Sequence, residues 1–520
     1  MRLWLFALTL VSPLVDRLQA TGNDHSYLAQ DQDECDSQKC PSLDLLQTSH
    51  RRMATKSQNT SSPVRYHQIL DNDQDTSYTG NISVGGQQLK AIFDTGSYEL
   101  LLFSALCETC GEAGVNGYDH RLSPYYQPGQ LTQSMLFGSG STTCSDAEEE
   151  VDIGPFSVKS QPVWEVLDAE MPILSVAGFQ AILGLGPPAA VKLQAEMDIK
   201  RVKKIAKSYK NKGRAVPAKI RQALKEQTAA DKVMESLDDS VPANIGVHFL
   251  SICLEQEHGA QGHLIWNDLD PRSQVRHFSR LKVTGQESWK MALKNVELVG
   301  AKGETWAIGC SNGCQAVLDS GTSLISAPIE ALEAMTSVLG SLGASCSDEA
   351  VLPMLKFNLG GTEHVLPPEV YMGFVEGMEY VNHEEVKVKD CELLMMEIGD
   401  EFAGATPLWI MGMPFFRWYT ATFVFGQDLY NPHAKKSIWT APVDEKCNLR
   451  NVTDSSTLQN WSASAPPNLS AATEMILRNV SFRPRTVVKE KFRSSTMLAN
   501  SSQLHKHRWR WPLRRARPLL

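Results

Sequence analysis

The chain has 520 residues, of which 42% are hydrophobic, enough to bury more than one core. Its formal charge of −9 is unevenly spread, because residues 192–225 carry +10 and residues 478–520 carry +11, which leaves −30 for the remainder. A strongly acidic body suits a protein that works at low pH, where protonated carboxylates repel one another less. Beyond the N-terminus no run of about 18 apolar residues occurs, which excludes a second membrane-spanning segment.

Residues 1–20 predict a signal peptide. Arg2 supplies a positive start, residues 3–15 are mostly apolar, and Ala20 offers a cleavage site. Because the apolar stretch is short for a stable membrane helix, a membrane anchor is the alternative interpretation. We therefore expect a protein of the secretory pathway, secreted or held in an acidic endomembrane compartment. We expect no nucleic-acid partner for a protein of the secretory pathway. Once the signal peptide is removed, we expect no transmembrane helix in the mature chain.

Residues 21–62 form a polar N-terminal extension without strong periodicity. The extension is acidic at first and basic around Arg51-Arg52, which is a candidate processing site; a disordered arm is the alternative. Asn-x-Ser/Thr sequons predict glycosylation of the extension, the body and above all the C-terminal tail, at Asn59, Asn81, Asn451, Asn460, Asn468, Asn479 and Asn500.

A strand pattern leads into the first polar motif. Residues 78–86 and 89–93 predict a hairpin whose second strand delivers Asp94. The chain continues with Thr95-Gly96-Ser97, and Ile182-Leu183-Gly184 follows 90 residues after the aspartate.

A basic segment from about 191 to 225 interrupts this half of the chain. Ile199, Val202, Ile205 and Ala206 recur at helical spacing, and a second helix is predicted after Pro217. The segment predicts an inserted, solvated basic helix. The alternatives are contact with an anionic membrane, with an acidic partner, or with the protein's own acidic surface.

The second half repeats the motif. A strand pattern over 316–318 ends in Asp319-Ser320-Gly321-Thr322, and Ile410-Met411-Gly412 follows 93 residues after the aspartate. Residues 263–266 and 289–293 predict strands, and residues 328–340 predict a short helix. A lone Asp-Ser-Gly is usually a turn, but two matched copies suggest two lobes that bring two aspartates together.

The duplicated motif resembles the pepsin-like aspartic protease family over about residues 66–447. The resemblance implies an all-β, bilobal fold of two pseudo-symmetric lobes, 63–244 and 245–447, with the active cleft between them and short helices besides the basic insertion. It implies an endopeptidase acting on protein or peptide substrates, without metal or cofactor, as a monomer. It also suggests that residues 21–62 are a propeptide.

The resemblance assigns catalysis to Asp94 and Asp319. Two carboxylates held close share one proton, so one activates a water as general base while the other donates to the scissile carbonyl. Gly96 and Gly321 allow backbone N–H groups to approach these carboxylates. The hydroxyl residues would hold the two loops and the outer carboxylate oxygens in place: Thr95 and Ser320 for the loops, Ser97 and Thr322 for the oxygens.

The resemblance implies a substrate-covering flap at Phe137, Gly138 and Ser139. Phe137 stands where the family usually has a tyrosine, and Leu101 stands where that tyrosine's tryptophan partner would be. Because both partners of one hydrogen bond are missing, we expect a more apolar flap contact. Met413 replaces an aspartate common in the family, a change that bears on pH optimum or substrate choice.

The chain has eleven cysteines, which in an oxidising compartment predict disulfides with one cysteine left over. The resemblance implies four pairs: Cys107–Cys110, Cys310–Cys314, Cys346–Cys391 and Cys253–Cys447. Cys35 and Cys40 are near enough in sequence to close a small loop, which leaves Cys144 as the odd cysteine.

The tail, 448–520, is predicted to lack a fixed core. It ends in interleaved Arg and Trp, which suit an anionic lipid interface, but a removable or sorting tail is the plainer interpretation. Two other functions remain open. One is a catalytically silent relative that binds peptides in its cleft, suggested by the flap changes. The other is a glycosylated surface protein whose basic tail carries its function.

Overall fold

The computed structural model describes residues 63–187, 190–218, 221, 225, 240–286, 288–347, 352–381, 384–398, 406–431, 433–450 and 485–488. The predicted signal peptide, the extension to residue 62 with its Cys35–Cys40 loop, and most of the tail lie outside these residues. So do all the predicted glycosylation sites except Asn81, which is exposed on a strand.

The first half of the described chain is built mainly from strands. These are β1 Tyr66–Asp73, β2 Ser77–Val84, β3 Gln87–Asp94, β4 Leu100–Phe103, β5 Gln127–Phe137, β6 Gly140–Ile153, β7 Phe156–Glu170 and β8 Ala181–Gly184. The helices are α1 Gly111–Val115, α2 Ala190–Asn211 and α3 Val241–Asn244, with 3₁₀ turns at His120–Leu122 and Pro172–Val176.

The second half has the same character. Its first strands are β9 Phe249–Leu254, β10 Gly262–Trp266, β11 Ser279–Leu281, β12 Lys290–Val299, β13 Thr305–Gly309, β14 Cys314–Leu318, β15 Ile325–Ala327 and β16 Met354–Leu359. The others are β17 Thr362–Leu366, β18 Met372–Val381, β19 Glu384–Leu393, β20 Met395–Glu397, β21 Leu408–Met411, β22 Tyr419–Val424, β23 Ser437–Pro442 and β24 Arg485–Val488. The helices are α4 Ile329–Leu342 and α5 Met413–Phe416, with 3₁₀ turns at Pro271–Gln274 and Pro368–Val370.

The two halves repeat one arrangement of strands. In the first half β3 pairs in parallel with β8, and β8 pairs antiparallel with β4. In the second half β14 pairs in parallel with β21, and β21 pairs antiparallel with β15. All of β4 and β8 is buried, as is typical of short apolar strands covered on both faces. The duplication seen in the sequence is therefore a duplication of structure.

A shared sheet joins the halves. Among the described strands, the order β11–β23–β22–β9–β10–β1 leads directly into β2 and β3. Tyr66 of β1 pairs with Trp266 of β10, and the indole N–H of buried Trp289 donates to the Leu185 carbonyl at 3.0 Å. Phe93, next to Asp94, packs edge-on against Trp266 at 5.9 Å between ring centroids. The cleft is thus built on one continuous core.

The structure forms the four disulfides that the resemblance implies: Cys107–Cys110, Cys253–Cys447, Cys310–Cys314 and Cys346–Cys391. Cys144 is free and fully buried. Burial raises the pKa of its thiol to about 12, which keeps the thiol protonated.

The basic insertion forms the long helix α2, as its spacing predicts. Leu193 and Ala206 are buried, and Ile205 is half-buried. Of the second predicted helix the structure describes Ala218, Arg221 and Lys225, each helical. No helix among the described residues is long and apolar enough to span a membrane.

One short strand in the tail is not predicted from the sequence. Arg485–Val488 form β24, which pairs in parallel with Gly373–Glu376 of β18. Thr486, Val487 and Val488 are β-branched and favour a strand, and the outer edge of the β18–β19 hairpin offers open backbone groups.

Candidate active site

The two matched aspartates lie at the centre of the molecule. Asp94 ends β3 and Asp319 follows β14, and each side chain is about 1% exposed. The backbone N–H of Gly96 donates to Asp94 Oδ1 at 2.8 Å, and that of Gly321 donates to Asp319 Oδ1 at 2.8 Å. The two motifs therefore fold into equivalent loops around their own carboxylates.

The loops also approach each other's carboxylates. A Cβ atom added to Gly96 would lie 2.7 Å from Asp319 Oδ2, and one added to Gly321 would lie 2.6 Å from Asp94 Oδ1. Both distances are shorter than van der Waals contact, so neither position accepts a side chain. The glycines are needed because two carboxylates converge across the line between the lobes.

A reciprocal set of hydrogen bonds joins the two loops. The Thr95 N–H donates to Ser320 Oγ at 3.1 Å, and the Ser320 N–H donates to Thr95 Oγ1 at 3.0 Å. Each hydroxyl in turn donates to a backbone carbonyl of the opposite strand: Thr95 Oγ1 to Leu318 at 2.9 Å and Ser320 Oγ to Phe93 at 2.6 Å. These hydrogen bonds hold the two lobes in a fixed position relative to each other at the site.

The apolar-apolar-glycine motifs complete the two loops. The Leu185 N–H donates to the Asp94 carbonyl at 2.7 Å, and the Asp319 N–H donates to the Met411 carbonyl at 3.0 Å. A Cβ on Gly184 would lie 2.4 Å from the Tyr98 backbone, and one on Gly412 would lie 2.2 Å from the Leu324 carbonyl oxygen. Glycine ends each motif because the backbone a few residues after each aspartate, at Tyr98 and at Leu324, lies directly against that glycine.

Burial raises the pKa of both aspartates. The negative charge of Asp94 and its hydrogen bond with Asp319 raise the pKa of Asp319 further. That same hydrogen bond and the Gly96 amide act against the rise in the pKa of Asp94. The pair therefore holds one proton over a range in which isolated aspartates would have lost theirs.

The outer carboxylate oxygens are held unequally. Thr322 Oγ1 donates to Asp319 Oδ2 at 2.7 Å. The Ser97 hydroxyl lies near enough to Asp94 to lower its pKa, but it forms no hydrogen bond of ordinary geometry with a described residue.

The predicted flap is the hairpin of β5 and β6. Phe137 pairs with Gly140, which leaves Gly138 and Ser139 as a two-residue turn. Gly140 has φ +139°, and a Cβ there would lie 2.0 Å from the Glu170 carbonyl oxygen on β7. The hydroxyl of Ser139 is fully buried without a hydrogen-bond partner among the described residues.

The flap contact is apolar, as expected. Phe137 and Leu101 are both buried in one cluster with Trp164, Ile92 and Ile182. Ile92 and Ile182 belong to β3 and β8, the strands that carry the Asp94 loop, so the flap base and that loop share a core. On the other side of the site Met413 is buried at the start of α5, and its N–H donates to the Thr322 carbonyl at 2.8 Å.

One supporting cluster was missed by the sequence reasoning. Ser323, next to the Asp319 loop, donates its hydroxyl to the Thr76 carbonyl at 2.5 Å. The adjacent Asp75 has φ +58° and is held by His258 Nδ1 at 2.6 Å and by buried Arg417, whose Nη2 donates to the Asp75 carbonyl at 3.2 Å. No local pattern in the sequence singles out Arg417, because its partner lies 342 residues away.

Comparisons with known proteins agree with this geometry. A family model described as "Eukaryotic aspartyl protease" matches residues 77–211 and 223–431. Renin of Rattus norvegicus is 26% identical over 378 residues, which cover 70% of this chain and 80% of the rat protein. Pepsin A of Bos taurus is 24% identical over 371 residues, covering 69% and 85%. Cathepsin E of Aquarana catesbeiana is 25% identical over 383 residues, covering 72% and 83%.

Proposed function

The chain belongs to the eukaryotic aspartyl protease family, and on that premise we propose that it is an active aspartic endopeptidase of the secretory pathway that uses Asp94 and Asp319. One observation carries the proposal. Two buried carboxylates, each bound by the backbone amide of its own loop, converge where hydrogen bonds between Thr95 and Ser320 join the two lobes. Such a pair is built to share one proton and to activate one water.

The shared proton gives the two carboxylates of Asp94 and Asp319 opposite first roles. The ionised one removes a proton from the water, whose oxygen bonds to the scissile carbonyl carbon, and the protonated one gives its proton to the carbonyl oxygen. In the second step the C–N bond breaks, the amine takes the proton that came from the water, and the other carboxylate recovers a proton from the tetrahedral intermediate. No metal or cofactor enters either step.

A buried hydroxyl supports a peptide substrate. The hydroxyl group of Ser139 at the flap turn lacks a partner among the described residues. Buried polar groups without partners are rare in folded proteins, and a peptide backbone offers both donors and acceptors. The flap residues Phe137, Gly138 and Ser139 would cover such a peptide, with the apolar base around Phe137 favouring hydrophobic side chains.

The remaining parts of the proposal concern the segments outside the active site. Residues 1–20 would direct secretion, residues 21–62 would act as a propeptide, and the exposed Asn81 would carry a glycan. The tail and the basic insertion would make peripheral contacts, and the protein would be a monomer.

A silent peptide-binding protein is the second candidate, favoured by the missing flap hydrogen bond between positions 137 and 101, where Phe137 and Leu101 make an apolar contact. The two candidates separate in one experiment. Cleavage of a denatured protein would be followed across acidic to neutral pH, with and without a statine-type inhibitor. Inhibitor-sensitive cleavage supports the protease; tight inhibitor binding without cleavage by the processed chain supports the silent relative.

A further inference from the structure

Two histidines meet on the outer side of the sheet that joins the two halves of the chain. In the β1–β10 pairing His67 lies opposite Ile265 and His263 lies opposite Ile69, so the two rings share one face on a diagonal. Their ring centroids are 5.2 Å apart, and His67 Nε2 lies 3.1 Å from His263 Nδ1. Side chains alternate along a strand, and Trp266 of β10 lies on the opposite, buried face. The histidine pair is therefore outside the active site.

Glu255 sets the chemical state of one ring. His263 Nε2 donates to Glu255 Oε1 at 3.2 Å, and Lys446 Nζ donates to Glu255 Oε2 at 2.8 Å, which favours the ionised carboxylate. Because an ionised carboxylate only accepts hydrogen bonds, the proton of a neutral His263 ring is on Nε2. Its Nδ1 therefore presents a lone pair toward His67. A carboxylate that orients a histidine in this way is the usual outer partner of a metal-bound imidazole.

The fold holds this arrangement in place on one side and leaves it open on the other. Lys446 precedes Cys447, whose disulfide with Cys253 anchors this part of the chain to β9. Glu255 directly follows β9 and is buried, whereas His67 is exposed. The pair thus combines one fixed ring with one that an ion from solvent can reach.

The distance between the two ring nitrogens fits a metal ion. Two nitrogens that bind a tetrahedral zinc ion at about 2.0–2.1 Å lie about 3.3 Å apart, close to the 3.1 Å found here. Without a metal, His67 Nε2 donates to His263 Nδ1; with the His67 proton on Nδ1 instead, both nitrogens offer lone pairs to one ion. Among the described residues no group of three or more histidine, cysteine or acidic side chains could hold a metal, so water would complete the coordination.

The neighbouring charges do not oppose a cation. Arg65, near the exposed ring, donates to Asp268 Oδ1 from Nε at 3.0 Å and from Nη2 at 2.8 Å. Lys446 Nζ lies 2.8 Å from a carboxylate oxygen of Glu255 and 3.7 Å from one of Glu257. These two cations and three carboxylates give a net charge of −1, so a bound divalent ion would not meet an excess of positive charge.

We propose that His67 Nε2 and His263 Nδ1 together bind one divalent transition-metal ion, of the class represented by Zn²⁺, and that this ion links β1 to β10. Imidazole nitrogens suit zinc, copper and nickel, whereas Ca²⁺ and Mg²⁺ prefer oxygen ligands. Because β1 belongs to the first half of the chain and β10 to the second, the ion ties the two halves together on the sheet they share. The site lies beyond the proposed function and takes no part in the chemistry of the two aspartates.

The test is urea unfolding of the metal-free full chain, with and without Zn²⁺, at a slightly alkaline pH where imidazole is neutral. The chain carries Asp94→Asn, so self-cleavage does not interfere and the two aspartates do not compete as a pair of ligands. Competition with a chromophoric chelator gives the dissociation constant. At a free Zn²⁺ concentration about 100 times that constant, we expect the ratio of folded to unfolded chain to rise about a hundredfold.

Variants assign the ion to the pair. His67→Gln removes one ligand at an exposed position, so the chain should fold and should lose the zinc-dependent stabilisation. Glu255→Gln keeps an acceptor for His263 Nε2 but removes the charge, and it should weaken zinc binding about ten- to hundredfold. The matched control is His505→Gln with His507→Gln, because this His-x-His pair of the tail could bind zinc by itself. The control should keep the full stabilisation.

Three results would overturn the proposal. An unchanged urea midpoint with Zn²⁺ would mean that the two histidines only form a hydrogen bond with each other. Equal stabilisation of the His67→Gln chain would place the ion elsewhere. Equal stabilisation by Mg²⁺ would show unspecific attraction of a cation to the acidic body. Because unfolding is measured without catalysis, these failures are distinct from an inactive protease.

Discussion

At the scale of single residues, the catalytic centre depends on hydroxyl and glycine residues as much as on its two aspartates. Thr95 illustrates this, because its hydroxyl accepts from the Ser320 N–H and donates to the Leu318 carbonyl. Removing it leaves a buried donor and a buried acceptor without partners at the line where the lobes meet.

Thr95→Val keeps the side-chain shape but removes that hydroxyl. We expect a loss of about 1–3 kcal/mol in the free energy of unfolding and at least about a tenfold loss of kcat/KM, because the two carboxylates are no longer held in register. Thr336→Val is the control, since Thr336 donates only to a carbonyl within α4. Equal kinetic effects of the two variants would contradict the positioning role of Thr95.

Asp319 couples activity to stability. Its pKa is raised in the folded state, so its stabilising contribution is complete below the unfolded value of about 3.9 and is lost as pH rises through the folded value. Asp319→Asn removes the titration. We expect this variant to have a higher free energy of unfolding than the wild type at pH 7, and the advantage to vanish below about pH 3.9. Denaturant titrations at both pH values would show it; a variant less stable at pH 7 would count against a raised pKa.

At the scale of elements, the proposed flap is the long β5–β6 hairpin, which is fixed at its base and ends in a two-residue turn. Its base shares a core with the strands that carry Asp94, while Gly140 approaches the Glu170 carbonyl too closely for any side chain. The flap geometry therefore depends on a glycine that no catalytic argument requires.

Gly140→Ala introduces a methyl group 2.0 Å from that carbonyl oxygen, at a φ that L-residues avoid. The β5–β6 turn must shift, and we expect kcat/KM to fall on the order of a hundredfold. Gly309→Ala is the control, because a Cβ there meets nothing within 4 Å. The measurement is steady-state peptide hydrolysis, with the melting temperature as a check on folding. Unchanged kinetics would show that this hairpin does not cover the substrate.

At the scale of the whole molecule, low pH is expected to favour activity but to reduce stability. The acidic body and the proton-sharing pair of aspartates both suit activity at low pH. His364 opposes it: the ring is buried against Phe357 and Phe415, and burial lowers its pKa to about 4. Below pH 6.5, the ordinary pKa of histidine, His364 binds a proton in the unfolded chain but stays neutral in the folded chain. The free energy of unfolding therefore decreases as pH falls from about 6.5 to 4.

The double variant His364→Phe with Thr440→Val tests this. It removes the ring and the hydroxyl 3.0 Å from its Nε2 together, so the Thr440 hydroxyl is not left unpaired, and only the Thr362 carbonyl loses its contact with Nδ1 at 3.1 Å. A pKa lowered from 6.5 to about 4 implies that the wild type loses roughly 3 kcal/mol between pH 6.5 and pH 4 through this residue. We expect the double variant to lose less of its stability over that interval in urea titrations. An identical loss in both chains would show that other groups govern the acid sensitivity.

Local pattern accounts for what the sequence could predict. The aspartates, their glycines and the pairs Cys107–Cys110 and Cys310–Cys314 lie in short motifs, and α2 follows from its apolar spacing. The pairs Cys253–Cys447 and Cys346–Cys391 are far apart in sequence and follow from the family resemblance alone. The Arg417–Asp75 contact and the β24–β18 pairing could not be predicted, because each joins segments more than one hundred residues apart. The positive φ of Asp75 likewise depends on that surrounding network, not on its neighbours in sequence.

The most direct measurement of the central claim is hydrolysis of a denatured protein at acidic pH by the processed wild type, by Asp94→Asn and by Asp319→Asn. The account predicts cleavage by the wild type and its loss in both variants, while circular dichroism and thermal unfolding show that both remain folded. Full cleavage by either folded variant would contradict the claim that these two aspartates carry the chemistry.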